Sequence, residues 1–130
     1  PIAERILLLG AKSGAALPVV YAACDLYAWP AVNEAYGMAL LEAQATGLPV
    51  VAANVGGVGG IVADGETGLI AARPDPGEIA AALAALLDDP NRRKALGRNA
   101  LRRVEAHHTI DAAAHLLRTV IADVGKRAKA

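Results

Sequence analysis

The sequence predicts an α/β domain: a parallel sheet between helices, followed by a helical end. Three observations carry that prediction. Short apolar runs bounded by Gly and Pro alternate with helix-length segments over residues 1–73. The run "PVVAAN" from Pro49 shows no polar alternation, which favours a strand covered on both faces and so a parallel sheet. From about residue 74 to about 126 the pattern is helical throughout, so one domain of 130 residues has an α/β part and a helical part.

The elements follow in order. Ile6 to Leu9, closed by Gly10, reads as a short buried strand. "KSGAA" is a loop, and Leu17-Pro18 opens a helix through Cys24, because proline is tolerated in a first turn. Leu26 to Trp29 is a second strand, stopped by Pro30. A helix runs from about Gly37 to Thr46; Gly47 suits its left-handed cap and Pro49 blocks continuation. "PVVAAN" and "GLIAA" are the third and fourth strands, with a short helix near Ile61-Val62 between turn-rich segments. Asp75 as N-cap, Pro76 in the first turn and Glu78 at the third position form a capping-box arrangement. Ile79, Leu83, Leu86 and Leu87 fall on one face of that helix. Asp89-Pro90 starts a helix carrying Leu96, Ala100 and Val104. Thr109 caps a last helix with an apolar face of Ala113, Leu117, Val120 and Val124, and "GKRAKA" frays.

Composition narrows the function. Residues are 55% hydrophobic but 3% aromatic with no Phe, so Leu, Val, Ile and Ala must fill the core. Thirteen basic residues cancel thirteen acidic ones, which argues against nucleic acid held by bulk charge. The lone cysteine, Cys24, excludes an internal disulfide framework and fits a reducing, cytoplasmic setting. No apolar run approaches the roughly 20 residues that span a bilayer. The opening "PIAERILLLG" has no initiator Met and enters a strand within a few residues, as a fragment would.

Chemistry concentrates in "EAYGMALLEAQATGLPVV", where Glu34 and Glu42 bracket seven residues. The loop from Pro30 to Tyr36 leaves the carboxyl end of a strand, where parallel sheets bind ligands. The helix that starts at Gly37 offers unpaired N–H groups and the positive end of its dipole, a seat for phosphate. Gly37 lets an anion approach the backbone, and Met38 and Ala39 supply amides. Glu42 lies roughly 6 Å further along the axis than Met38. A carboxylate there would repel phosphate, so a neutral diol such as ribose is its better partner. Glu34 lies on the other side, where a second hydroxylated group fits. Phosphate between two polyols is the shape of a nucleoside diphosphate sugar.

The block "NEAYGMALLEAQATGLPVVAANVGG", with the later "DGETGLI", resembles the retaining nucleotide-sugar glycosyltransferases of the GT-B fold. Their E-x7-E signature matches Glu34 to Glu42, and the likeness extends to "LPVVYAACDLYAWPA" and "LLDDPNRRKALG". The resemblance implies a Rossmann-like sheet with flanking helices, an incomplete C-terminal donor-binding domain. It implies Glu34 as the catalytic residue near the transferred sugar, and Tyr36, Gly37, Met38, Ala39, Leu41 and Glu42 as donor-binding. It implies a nucleotide-sugar donor as substrate, with no metal and no other cofactor. The acceptor, a glycan, lipid or small molecule, would lie against a missing N-terminal domain, leaving this chain inactive alone. Basic residues that neutralise the diphosphate would lie in the missing part too. The family commonly has Gly-Gly-x-Pro-Glu where this chain has Gly56-Gly57-Val58-Gly59-Gly60, which implies a floppier loop. Without its neighbouring strands, Leu26 to Trp29 would present an unpaired edge, a route to a homodimer or a re-paired sheet. A nucleotide-sugar epimerase and a non-catalytic nucleotide-binding module remain alternatives.

Other features have plainer readings. "GGVGG" has Val62 where a dinucleotide fingerprint needs its third glycine, so it is a turn. His107 and His108 point about 100° apart on a helix and form a helix-end pair. Arg92, Arg93, Lys94, Arg98, Arg102 and Arg103 make a solvated face, with contact to a membrane surface or acceptor as the alternative. Cys24 reads as a small buried hydrophobe, Trp29 as core or pocket wall, and Gln44 as a bystander to binding.

Overall fold

The computed structural model describes residues 1–127. Its centre is one strand, β2 (Val50–Ala53), in which every residue is buried. It pairs in parallel with β1 (Tyr27–Trp29) on one side and β3 (Gly68–Ala71) on the other, with Tyr27 opposite Val50 and Ala52 opposite Ile70. Side chains alternate across a strand, so β2 feeds two cores. Val50 and Ala52 join Leu40, Ala43, Leu48, Val58, Ile61 and Val62 on one face. Val51 and Ala53 join Ala71, Ile79, Leu86 and Leu96 on the other. The missing polar alternation of "PVVAAN" thus has its expected cause.

Helices α1 (Leu17–Ala22), α2 (Met38–Ala45) and α3 (Val58–Ile61) lie on the first face. Helices α4 (Pro76–Leu87) and α5 (Pro90–His107) cover the second, and α6 (Ile110–Arg127) extends from α5. Their starts are chemically specified. Asp75 accepts from the Glu78 N–H at 3.0 Å, Asp89 from the Arg92 N–H at 2.9 Å, and Thr109 from the Ala112 N–H at 3.1 Å. Glu78 does not close the capping box. Its carboxylate accepts instead from the N–H and Nε of Arg73, at 3.0 and 2.8 Å, and these bonds hold it below the usual carboxylate range. Gly47 ends α2 at φ 76°, as its cap position requires.

Several expectations are corrected. Ile6–Leu9 forms no strand and is exposed, Leu8 by 90%. A strand needs a neighbour for its N–H and C=O groups, and this run pairs with none among the described residues. Among the described residues the sheet therefore has three strands, with β1 hydrogen-bonded on one side only. A 3-10 turn at Ile2–Arg5 precedes the run. Cys24 lies beyond the end of α1 and is exposed, its thiol donating to the Val20 carbonyl at 3.3 Å. Leu87 is 58% exposed, one helical step past the covered stripe of α4. The expected apolar face of α6 exists, but Leu117, Val120 and Val124 are exposed among the described residues.

Arg93 leaves the predicted solvated face, whereas Arg92, Lys94 and Arg98 are exposed as expected. Its guanidinium donates to the Leu86 and Leu87 carbonyls at 2.7 and 3.2 Å and to Asp25 at 3.3 Å. It thereby caps the C-terminus of α4, where carbonyls lack partners and the dipole favours a cation.

Gln44 is fully buried. Its Nε2 donates to the Ile61 carbonyl at 3.4 Å, tying α2 to α3, while its Oε1 has no partner among the described residues. An orphaned buried acceptor costs about 1–3 kcal/mol, more than a long hydrogen bond returns. Gln44→Leu removes that orphan but takes the donor from the Ile61 carbonyl, so it should unfold in urea within about 1 kcal/mol of wild type. Gln44→Ala, which leaves a cavity, should lose about 2 kcal/mol.

Candidate functional site

The carboxyl end of β1 leads through Pro30 into the loop that carries Glu34, and then into α2. Gly37 is the N-cap of α2 at φ 99°, a left-handed conformation that glycine adopts without strain. No side chain among the described residues caps this end. The Gly37 carbonyl accepts from the N–H groups of Leu40 and Leu41, at 3.0 and 3.1 Å. The amides of Met38 and Ala39 are left among the orphan donors of a helix start. The side chains of Tyr36 and Met38 beside them are about half exposed, at 54% and 55%.

A second backbone segment fixes this loop. The Gly57 N–H donates to the Glu34 carbonyl at 3.0 Å. A Cβ on Gly56 would overlap that same carbonyl, and one on Gly57 would sit 2.6 Å from the Ala35 oxygen and 2.8 Å from that of Tyr36. At its start the loop expected to be floppier meets this segment: Gly57 caps α3, whose Val58 and Ile61 are buried, while Gly59 and Gly60 face open space. At positions 56 and 57 glycine provides close approach.

Glu34 and Glu42 border one row of aromatic rings. The Trp29 Nε1–H donates to Glu34 Oε2 at 3.0 Å, and the Tyr36 N–H to Oε1 at 3.3 Å. Trp29 stacks on Tyr27 with centroids 6.0 Å apart and planes 14° from parallel. Tyr27 meets Tyr21 edge to face at 5.6 Å. The Tyr21 hydroxyl makes a long contact, 3.5 Å, with Glu42 Oε2. Burial pushes the Tyr27 hydroxyl up to about 12, with Tyr21, Glu42 and Glu34 adding to it. Burial, then the charge and hydrogen bond of Glu42, raise Tyr21 as well. Glu34 is bonded to one end of this row, at Trp29, and Glu42 lies against the other, at Tyr21.

Of the residues singled out from sequence, Glu34, Tyr36, Gly37, Met38, Ala39 and Glu42 surround the start of α2. Leu41 is placed differently: its N–H bonds to Gly37 and its side chain packs on the core. Beside Glu42 opens a cavity of about 250 Å³, lined also by Gly14, Leu17, Pro18, Tyr21, Ala45 and Thr46. The aromatic row is what the sequence reading missed. Its signal was the i, i+2 spacing of Tyr27 and Trp29, which puts both on one face of a strand.

A parallel sheet with a bare helix start between two acids, at the carboxyl end of β1, defines an α/β fold with a candidate ligand site there. Residues 1–103 match the family described as glycosyl transferases group 1, and the chain belongs to that family. Among its relatives is D-inositol 3-phosphate glycosyltransferase of Corynebacterium efficiens, 47% identical over 98 residues, covering 75% of this chain and 23% of that protein. The enzyme of the same name from Corynebacterium diphtheriae is 43% identical over 122 residues, covering 94% of this chain and 28% of that one. The chain thus spans about a quarter of the length of these relatives. Among solved structures, sucrose-phosphate synthase from Thermosynechococcus elongatus superposes with TM-score 0.86 at 30% identity, over 97% of this chain and 32% of that one. Anabaena Alr3699/HepE in complex with UDP gives 0.84 at 25% identity, over 94% and 33%. The architecture is that of a GT-B C-terminal domain.

Two outcomes follow. Gly37→Ala forces an L-residue into the left-handed region and should cost about 1–2 kcal/mol in chemical unfolding. Tyr27 is more easily ionised unfolded, near its ordinary value of 10, than folded, near about 12. Its contribution is fully present below pH 10 and is lost as pH rises toward 12. Tyr27→Phe should therefore flatten the alkaline loss of stability in that window, read by unfolding at stepped pH.

Proposed function

We propose that this chain is the donor-binding half of a retaining glycosyltransferase that moves a hexose from a nucleoside diphosphate sugar to an acceptor. The observation that carries this reading is the uncapped start of α2 between two carboxylates on one aromatic-lined face. In this reading the amides of Gly37, Met38 and Ala39 receive the distal phosphate, favoured by the dipole. Glu42 accepts from the ribose diol, with the nucleoside running into the cavity beside it. Glu34 accepts from hydroxyls of the transferred sugar near the reacting centre. Tyr36 flanks the phosphate, and Leu41 seats the helix on the core.

The E-x7-E spacing and neighbours solved with UDP and with UDP-glucose support the donor class. Transfer with retention breaks the bond from the anomeric carbon to the diphosphate oxygen and forms one to the acceptor oxygen on the same face. The acceptor proton passes to the departing phosphate. No metal is assigned to the donor. Residues 1–73 hold the donor, and within residues 74–126 it is α4 and α5 that cover the sheet. The acceptor, a glycan, lipid or small molecule, is held by an N-terminal half, so the isolated chain binds without turning over. The open edge of β1 is where two copies would pair, and a cytoplasmic setting, with contact at a membrane surface, fits a lipid acceptor. No helix among the described residues is long and apolar enough to cross a membrane.

Calorimetry tests this with UDP, UDP-glucose, GDP and GDP-mannose. Glu42→Ala should weaken nucleotide and nucleotide sugar alike by roughly tenfold, the worth of one charge-assisted hydrogen bond. Glu34→Ala should weaken only the sugar-bearing ligands, and exposed Glu105→Ala neither. Equal losses across all three variants would overturn the assigned roles. Gln44, being core, is no control.

A further inference from the structure

We infer that Trp29 is a positioning residue for Glu34, holding its carboxylate in the orientation that receives the transferred sugar. What Glu34 touches rests on the donor reading above; the hold on Glu34 does not. Trp29 is the last residue of β1, at the end of the sheet where α/β folds bind ligands. A half-buried indole N–H needs an acceptor. Here it takes a carboxylate five residues on, at 3.0 Å, rather than a backbone carbonyl. The ring has little freedom: it stacks on Tyr27, which is wedged edge-on against Tyr21, and all three pack on the buried cluster of the first face.

A fixed ring makes a fixed donor. With the Tyr36 N–H on Oε1, both oxygens of Glu34 are tied from the protein side. A carboxylate offers about four lone-pair directions, so each oxygen keeps one for an incoming hydroxyl. Those directions are set before the sugar arrives. A side chain without an N–H at position 29 would leave Oε2 untied and let the carboxylate turn about its terminal torsion, which has broad wells. The cost would fall on recognition of the sugar and not of the nucleotide.

Trp29→Phe keeps the stack on Tyr27 and removes only the donor. Binding of UDP and UDP-glucose, and of GDP and GDP-mannose, is measured by calorimetry for wild type, Trp29→Phe and Glu34→Ala. In Trp29→Phe the nucleotide alone should bind within about twofold of wild type. The gain from adding the sugar should fall roughly three- to tenfold, the size of one misplaced hydrogen bond. Equal loss for nucleotide and nucleotide sugar would reduce Trp29 to a structural part and overturn the inference. So would a sugar gain that falls in Glu34→Ala yet stays intact in Trp29→Phe. If Glu34→Ala leaves the sugar gain intact, the donor reading of Glu34 fails instead. The bond has its own test, because Trp29 is the only tryptophan of the chain. Its fluorescence maximum should shift in ligand-free Glu34→Ala, where the indole loses its charged acceptor. An unchanged emission overturns the inference even if Trp29→Phe fails to fold.

Discussion

The site depends on one close backbone approach, that of Gly56-Gly57 to the segment from Glu34 to Tyr36. The Gly57 N–H bonds to the Glu34 carbonyl, and the space a Cβ would need at either glycine is occupied by that loop. A loop at the end of a strand has no ladder of its own to hold it, and its polar backbone must find partners elsewhere. Here the partner is the turn that follows β2, the most buried strand. The placement of Glu34 is thereby referred to the core. The start of α2 is set the same way: Ile61 of α3 packs within van der Waals distance of where a Gly37 side chain would begin, and Gln44 ties the two helices.

Three weak effects then converge on the same few ångströms. An anion at a surface helix start gains about 0.3–1 kcal/mol from the dipole, too little to select a ligand. Charge-assisted hydrogen bonds to hydroxyls are worth about 1.5–3 kcal/mol each and carry more of the selectivity. The aromatic row supplies a low-polarity wall between the acids, since Tyr21, Tyr27 and Trp29 pack on one another and on the buried cluster. In the proposed donor reading, discrimination would come from hydroxyl contacts on either side, and a phosphate at the helix start would fix the register between them.

Much of this was legible in the sequence. The order of elements from Leu17 to His107 follows from caps and punctuation: Pro in first turns, Asp75 and Asp89 as N-caps, Gly47 as a left-handed stop. The E-x7-E spacing places Glu34 and Glu42 around one helix start because a helix of this length allows little else. What the sequence hid has a common cause. Ile6–Leu9 has the composition of a strand, but composition does not supply a pairing partner. Gln44 sits in an apolar helix with no periodic signal to say which side faces in. Arg93 stands in a basic run that reads as solvated, and its targets, the C-terminus of α4 and Asp25, come together only in the fold. Gly56 and Gly57 read as slack because close contact between distant backbones leaves no mark except the absence of a side chain.

The two acids are not equivalent in how the fold holds them. Glu34 is half-buried with both oxygens tied by donors from a fixed ring and a backbone amide. Glu42 is exposed, with one long contact to Tyr21 and an open cavity at its side. Ordering a free glutamate costs up to about 2 kcal/mol of side-chain entropy, incurred on binding at Glu42 but already met by the fold at Glu34. An adaptable acid suits a group that only needs to be held. A preset acid suits the group whose geometry decides reactivity, because misplacement by about an ångström costs orders of magnitude in rate. The rigid side of the site therefore coincides with the side assigned to the reacting sugar, and the yielding side with the nucleoside. That asymmetry follows from the donors around each carboxylate.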